Sequence, residues 1–116
     1  MNPDIDSGLK SDLLDDFFAE ADEHLQHIRE GLVLLEQSVG KALPDLSVVD
    51  ELLRSFHSLK GISAIVGLAA AEKLAHAAEE FLRHLSRGKS SLSSQEWDNL
   101  IASIHNLEQV VVAFRQ

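Results

Sequence analysis

Four long stretches of this sequence repeat apolar residues at spacings of three and four, and this periodicity restricts the chain to helical folds. In the first stretch the repeat forms one stripe along a helix, made of Leu14, Phe17, Ala21, Leu25, Ile28, Leu32 and Leu35. No segment shows the two-residue alternation of a half-buried strand. The sequence therefore predicts an all-α protein.

Capping and breaking residues bound the four predicted helices. The first is expected to start at Ser11, and the fourth opens with Ser93 and Glu96 in the S-x-x-E order of a capping box. The second begins near Ser47 and fails near Gly67, since glycine is common just past a helix end. The remaining boundary signals are Gly40, Pro44, Asp50 as the capping partner of the second helix, and Gly88.

Amphipathic helices joined by short loops must bury their stripes against one another, and an antiparallel up-down four-helix bundle achieves this. The bundle is expected to span residues 11–116, with residues 1–10 as a flexible N-terminal segment. With 116 residues, 45% of them apolar, the chain can form one compact domain. A bundle by itself indicates no function.

Charge and cysteine content narrow the possible partners. A net charge of −9 disfavours nucleic acid and anionic membranes, and no apolar run is long enough to span a bilayer. The absence of cysteine excludes disulfides, thiolate zinc sites and thiol catalysis. Because the N-terminus also lacks an apolar secretory core, a cytoplasmic domain is the expectation.

The segment LLRSFHSLKGISAIVGL, residues 52–68, places unusual residues on the second helix. On a helical wheel, Lys60 lies about 60° to one side of His57 and Gly61 about 40° to the other. Gly61 costs roughly 1 kcal/mol relative to alanine in a helix interior, so a neighbouring helix or an external partner is expected to approach it closely. Ser63 follows on the next turn and is expected to support the site.

The third helix offers His76 and Glu79, which lie off its main apolar stripe. If the second and third helices are antiparallel neighbours, either Glu79 or His76 can reach His57. A carboxylate that accepts the Nδ1 proton would fix the tautomer and leave Nε2 with a free lone pair. An oriented neutral imidazole is a nucleophile, and the nearby Lys60 ammonium favours an anion attached to it. These groups together indicate a histidine that accepts a phosphoryl group.

At these residues the sequence resembles a known family. HSLKGISAIVGL resembles the signature of the histidine-containing phosphotransfer (HPt) domain, H-x-L-K-G followed by small residues and a glycine–hydrophobic pair. In LAHAAEEFL, His76 and Glu79 follow His57 by 19 and 22 residues, a spacing similar to that of the phosphoacceptor domain of CheA-type chemotaxis histidine kinases. The opening helix, FFAEADEHLQHIREGLVLLE, resembles the first helix of the same subgroup.

The resemblance implies a role for each side chain. It implies that His57 is phosphorylated at Nε2 and that Lys60 neutralises the phosphoryl oxygens. Glu79 would hydrogen-bond the ring, His76 would belong to the same network, and Gly61 would leave room for a partner. The domain would then be a relay station of a two-component system and not a complete enzyme.

Partners and cofactors follow from the same resemblance. The sequence has no P-loop and no glycine-rich nucleotide loop, so the domain is expected to bind no cofactor or metal itself. A histidine kinase ATP-binding domain would load the histidine. The receiver domain of a response regulator would supply Mg²⁺ and take the phosphoryl group onto its aspartate. The domain can be part of a sensor or chemotaxis histidine kinase.

Two other functions stay open at this point. Di-iron bundles use Glu-x-x-His pairs, and no histidine here has a glutamate three residues before it, which disfavours a metal-binding bundle. A non-catalytic helical interaction or dimerisation module is the main alternative, because Leu13, Phe18 and Val33 lie off the stripe and can form an exposed apolar patch. His24 and His27 are expected to face solvent.

Overall fold

A computed structural model describes residues 3–41, 43–88 and 91–116, with side chains from residue 8 onward. Its helices are α1 (Pro3–Glu36), α2 (Leu46–Ile65), α3 (Ala69–Arg87) and α4 (Ser94–Arg115). Within these described ranges there is no strand. Consecutive helices pack side by side and α4 closes against α1, so the predicted all-α, antiparallel up-down four-helix bundle is confirmed.

The apolar faces of the four helices meet in one core. Each helix contributes a large, fully buried side chain to its centre, namely Ile28, Phe56, Leu82 and Leu107. Burying each such side chain contributes about 1.5–3 kcal/mol, so the stripes supply the main stabilisation of the bundle. No helix in the described part of the chain combines the length and apolarity needed to cross a membrane.

Helix α1 begins eight residues earlier than the sequence predicted. It starts at Pro3, a residue that suits the first helical turn because it lacks the N–H that has no partner there. Ser11 therefore lies inside the helix and does not cap it, and the predicted start there is wrong. Residues 1 and 2 lie outside the described ranges, and the proposed flexibility of residues 1–10 stays a prediction.

The N-terminus of α2 also differs from the prediction. Asp45, not Ser47, is the capping residue, and its Oδ1 accepts hydrogen bonds from the Ser47 backbone N–H at 2.9 Å and the Ser47 hydroxyl at 2.7 Å. Asp50 therefore has no capping role. Two other ends agree with the sequence: α2 stops before Gly67, which has a φ of 74°, and both halves of the capping box between Ser93 and Glu96 are present.

Helices α1 and α2 approach each other closely at one glycine. A Cβ atom added to Gly31 would lie 2.7 Å from Cδ2 of Leu52, which is too short for any real contact. Further along, the backbone N–H of Gly40 donates to the carbonyl of Leu92 at 2.8 Å and ties the α1–α2 connection to the α3–α4 connection. The first contact packs α1 against the helix that carries His57, and the second holds two connections of the bundle together.

Candidate functional site

His57 projects from α2 into solvent while one edge of its ring faces α3. Its side chain is 70% exposed, and Nδ1 lies 3.1 Å from Oε1 of Glu79 on the neighbouring helix. Of the two α3 residues that the sequence offered as partners, the structure therefore brings Glu79 to the ring. The opposite ring nitrogen, Nε2, has no protein partner among the described residues.

Glu79 is buried, although the sequence placed it at the edge of the bundle. Its side chain is only 3% exposed, because α3 packs with a broad face that includes the neighbouring Ala78 and Leu82. Three nitrogen-bearing side chains surround the carboxylate. Lys60 Nζ lies 2.8 Å from Oε2 as an ion pair, and Arg83 Nη2 donates to Oε1 at 2.6 Å beside the His57 contact.

The charge state of Glu79 fixes the tautomer of the histidine. Burial alone raises the pKa of Glu79, but the contacts with Lys60, His57 and Arg83 outweigh burial and lower the pKa to about 2. An ionised carboxylate can only accept hydrogen bonds, so Nδ1 of His57 must carry the proton that it shares with Oε1. In the neutral ring, the free lone pair is then on the exposed Nε2.

Lys60 lies on the same side of the ring as Glu79. Its side chain is 25% exposed, so the ammonium reaches both the buried carboxylate and solvent. An ammonium has three donors, and the contact with Glu79 leaves others for an anion at the surface. The Lys60 ammonium and the His57 ring therefore contact the same buried carboxylate.

The space beside Gly61 is open. A Cβ atom added there would have no other atom within 4 Å, so no neighbouring helix requires this glycine. Gly61 lines a surface depression together with His57 on α2 and Glu20 and His24 on α1. His24 is half-buried at this edge, although the sequence indicated a solvent-facing residue.

Two other predicted site residues lie apart from the ring. His76 is exposed and lines a hollow with Lys60 and Lys73, and the hydrogen bonds among the described residues do not join it to His57 or Glu79. Ser63 is fully buried, and its hydroxyl has no hydrogen-bond partner among the residues that the structure describes. Ser63 therefore faces the core and not a visiting molecule.

Replacing Ser63 with alanine is expected to raise the free energy of unfolding by about 1 kcal/mol, because it removes a buried hydroxyl whose hydrogen bond is not made. Urea denaturation would measure the change. Ser58→Ala is the matched control, since it makes the same substitution at an exposed position of the same helix. If Ser63→Ala stabilises no more than Ser58→Ala, the buried hydroxyl carries no cost.

An apolar patch lies next to the depression. We use this name for four residues of α1, α2 and the start of the α2–α3 connection: Leu13, Ile62, Ile65 and Val66. Leu13 is 44% and Ile65 68% exposed. The patch predicted from sequence differs, because Phe18 packs on Phe114 and Val33 lies about 30 Å further along α1.

Arg83 was missed by the sequence analysis, although one signal marks it. It follows Glu79 by four residues, the spacing at which oppositely charged side chains meet on a helix surface. Its other nitrogen, Nη1, donates to Oε1 of Glu80 at 2.8 Å.

Within the described residues, no group of three or more histidine, aspartate or glutamate side chains is placed to hold a metal ion.

The family model described as "Hpt domain" matches residues 12–110. The chain is 37% identical over 98 residues to the chemotaxis protein CheA of Bacillus subtilis, covering 84% of this chain and 14% of that protein. It is 35% identical over 83 residues to the gliding motility regulatory protein of Myxococcus xanthus, covering 72% of this chain and 10% of that protein. The chain thus spans a small part of these relatives.

A solved structure agrees with these sequence matches. The CheA phosphotransferase domain from Thermotoga maritima superposes with a TM-score of 0.77 and 25% sequence identity. The superposition covers 89% of this chain and 94% of that domain, so nearly all of both folds correspond.

Proposed function

Because this chain belongs to the Hpt domain family and is a phosphohistidine relay module of two-component signalling, we propose that His57 is the residue that carries the phosphoryl group. One observation carries the proposal. The exposed ring is held through Nδ1 by a buried, ionised carboxylate, which leaves the lone pair of Nε2 directed away from Glu79 and free to react. Within the described residues, neither the exposed His76 nor the half-buried His24 has such a carboxylate contact.

The geometry supports a simple phosphoryl transfer. The Nε2 lone pair forms a bond to the γ-phosphorus of ATP, the bond from that phosphorus to the bridging oxygen breaks, and ADP leaves with the electron pair. The Nδ1 proton stays on the ring, and the positive charge that develops there faces the Glu79 carboxylate. Lys60 offsets the charge of the phosphoryl oxygens. Such transfer depends mainly on positioning and charge stabilisation.

We assign the other parts of the reaction to partner proteins. A histidine kinase catalytic domain brings ATP, and a response-regulator receiver brings Mg²⁺ and the aspartate that receives the phosphoryl group. The module is therefore no enzyme on its own, and it works in the cytoplasm beside these partners. The apolar patch and the open surface at Gly61 lie on the same side as His57 and suit a protein that closes over the ring.

Substitution of Gly61 separates stability from docking. Gly61→Ala is expected to raise the free energy of unfolding by up to about 1 kcal/mol, because alanine favours the helix and the added Cβ meets open space. Gly61→Leu should keep the fold but slow transfer to the receiver about tenfold, the effect of losing about 1.4 kcal/mol of docking free energy. Thermal unfolding and timed transfer measure the two effects. Wild-type transfer by Gly61→Leu would show that no partner approaches this glycine.

Phosphorylation of the domain tests the proposed function directly. The domain is incubated with a histidine kinase catalytic core and labelled ATP, and then with a receiver domain and Mg²⁺. We expect an acid-labile, base-stable label that moves to the receiver. The alternative, a non-catalytic helical interaction or dimerisation module, predicts no label on this chain at any time.

A further inference from the structure

Arg83 is held on the rim of α3 by two carboxylates. Its Nη2 donates to Oε1 of Glu79 at 2.6 Å, and its Nη1 donates to Oε1 of Glu80 at 2.8 Å. The side chain is 39% exposed, so the guanidinium lies between the buried acid and solvent. Two anchoring contacts give it one position, directly beside the oxygen that His57 uses.

The important feature is that one oxygen serves two donors. Oε1 of Glu79 accepts from Nδ1 of His57 at 3.1 Å and from Arg83 at 2.6 Å, while Oε2 faces Lys60. The cation is therefore closer to the shared oxygen than the ring is. A charge-assisted contact draws electron density from its acceptor, so the second donor on the same oxygen is held more weakly.

We propose that Arg83 is a positioning residue that weakens the hydrogen bond between Glu79 and His57 and so keeps the phosphoryl group easy to pass on. The inference rests on the proposed function of His57. When the nitrogen–phosphorus bond forms at Nε2, the ring gains positive charge, and a strong acceptor at Nδ1 stabilises that product. When the bond breaks, the electron pair returns to Nε2 and phosphorus bonds to a carboxylate oxygen of the receiver. A weakened acceptor favours this second step.

The test compares Arg83→Gln with Arg29→Gln in the whole domain. Arg29 pairs with Glu108 on α4 at the bundle surface, so its loss removes the same charge and one exposed ion pair that involves neither His57 nor Glu79. In Arg83→Gln, the Nδ1 proton signal of His57 should move downfield. Acceptance from the kinase should become about three- to tenfold faster and transfer to the receiver slower by a similar factor, the range set by one hydrogen bond. Arg29→Gln should change neither.

A third variant isolates the charge. Arg83→Lys keeps a cation four residues from Glu79, so we expect it to restore the wild-type Nδ1 signal and rates. An unchanged signal in Arg83→Gln, or acceptance slower than that of the wild type, would overturn the inference, because Arg83 would then only hold Glu79 in place. The Nδ1 signal is read without phosphate. If the wild type takes no label, the proposed function fails while this signal still tests the coupling of Arg83 to the ring.

Discussion

Replacement of His57 by glutamine is expected to abolish phosphoryl acceptance while the bundle stays folded. The ring is 70% exposed, and within the described residues its one hydrogen bond is to Glu79. Its removal therefore takes no side chain from the core. Glutamine fills a similar volume but has no nucleophilic nitrogen, and a neutral amide cannot replace the imidazole. Acid-labile label after incubation with a kinase core and ATP measures acceptance, and far-UV circular dichroism measures the fold.

Two histidine variants serve as controls for His57→Gln. His24→Gln changes the ring on the opposite side of the same depression, and His76→Gln changes the exposed histidine of α3. In the described part of the chain, neither ring forms a hydrogen bond with Glu79, so both variants should still accept the label. Wild-type labelling of His57→Gln would identify another histidine as the acceptor. A large loss in His76→Gln would place His76 in the network that the family resemblance implies.

Replacement of Glu79 by glutamine is expected to slow acceptance by about 10- to 100-fold, since loss of orientation at a reacting group has effects of this size. The variant keeps the size of the side chain but loses the charge that holds the Nδ1 proton and offsets the developing charge on the ring. Timed labelling at saturating kinase measures the rate. An unchanged rate would remove Glu79 from the reaction.

Glu79→Gln is also expected to be less stable than the wild type, by an amount that depends on pH. The pKa of Glu79 falls from 4.5 to about 2 on folding, which corresponds to about 3 kcal/mol of stabilisation. Because the folded-state pKa is the lower one, this contribution is fully present above pH ~4.5 and is lost as the pH falls towards ~2. As the pH falls through this range, urea denaturation should show that the free energy of unfolding decreases less in Glu79→Gln than in the wild type.

Glu108→Gln is the control for this stability effect. Glu108 pairs with Arg29 at the surface, where such pairs contribute about 0–1 kcal/mol. Its loss should leave stability nearly unchanged at neutral pH. If Glu79→Gln is no less stable than Glu108→Gln at neutral pH, the contacts of Glu79 with its three partners do not stabilise the fold. Their favourable free energy would then only offset the cost of desolvating the buried carboxylate.

Local signals in the sequence predicted several helix ends, and the two wrong helix starts have local causes. The capping box of Ser93 and Glu96 and the positive φ of Gly67 depend on neighbouring residues alone, and both agree with the structure. At α2 two good capping residues lie two positions apart, and Asp45 is the cap because its carboxylate reaches the Ser47 N–H. At α1 nothing before Ser11 stops the helix, so it continues back to Pro3.

The candidate site was only partly predictable, because its remaining features depend on how helices pack together. The helical wheel placed Glu79 off the stripe, since the charge of glutamate argues against burial and the wheel cannot show how much of α3 is covered. His24 reaches the depression of His57 only through the pairing of α1 with α2. Arg83 could have been found, because its spacing from Glu79 is a property of one helix.

The close approach of α1 and α2 at Gly31 predicts how residues 31 and 52 vary among related sequences. A Cβ atom at this position would lie 2.7 Å from Leu52, so the buried Leu52 side chain would have to shift, and the two positions should not vary independently. In lineages where residue 31 has become alanine or serine, residue 52 should have become smaller than leucine. Such paired replacements would identify relatives in which the packing of α1 against the helix that carries the phosphoryl group has changed.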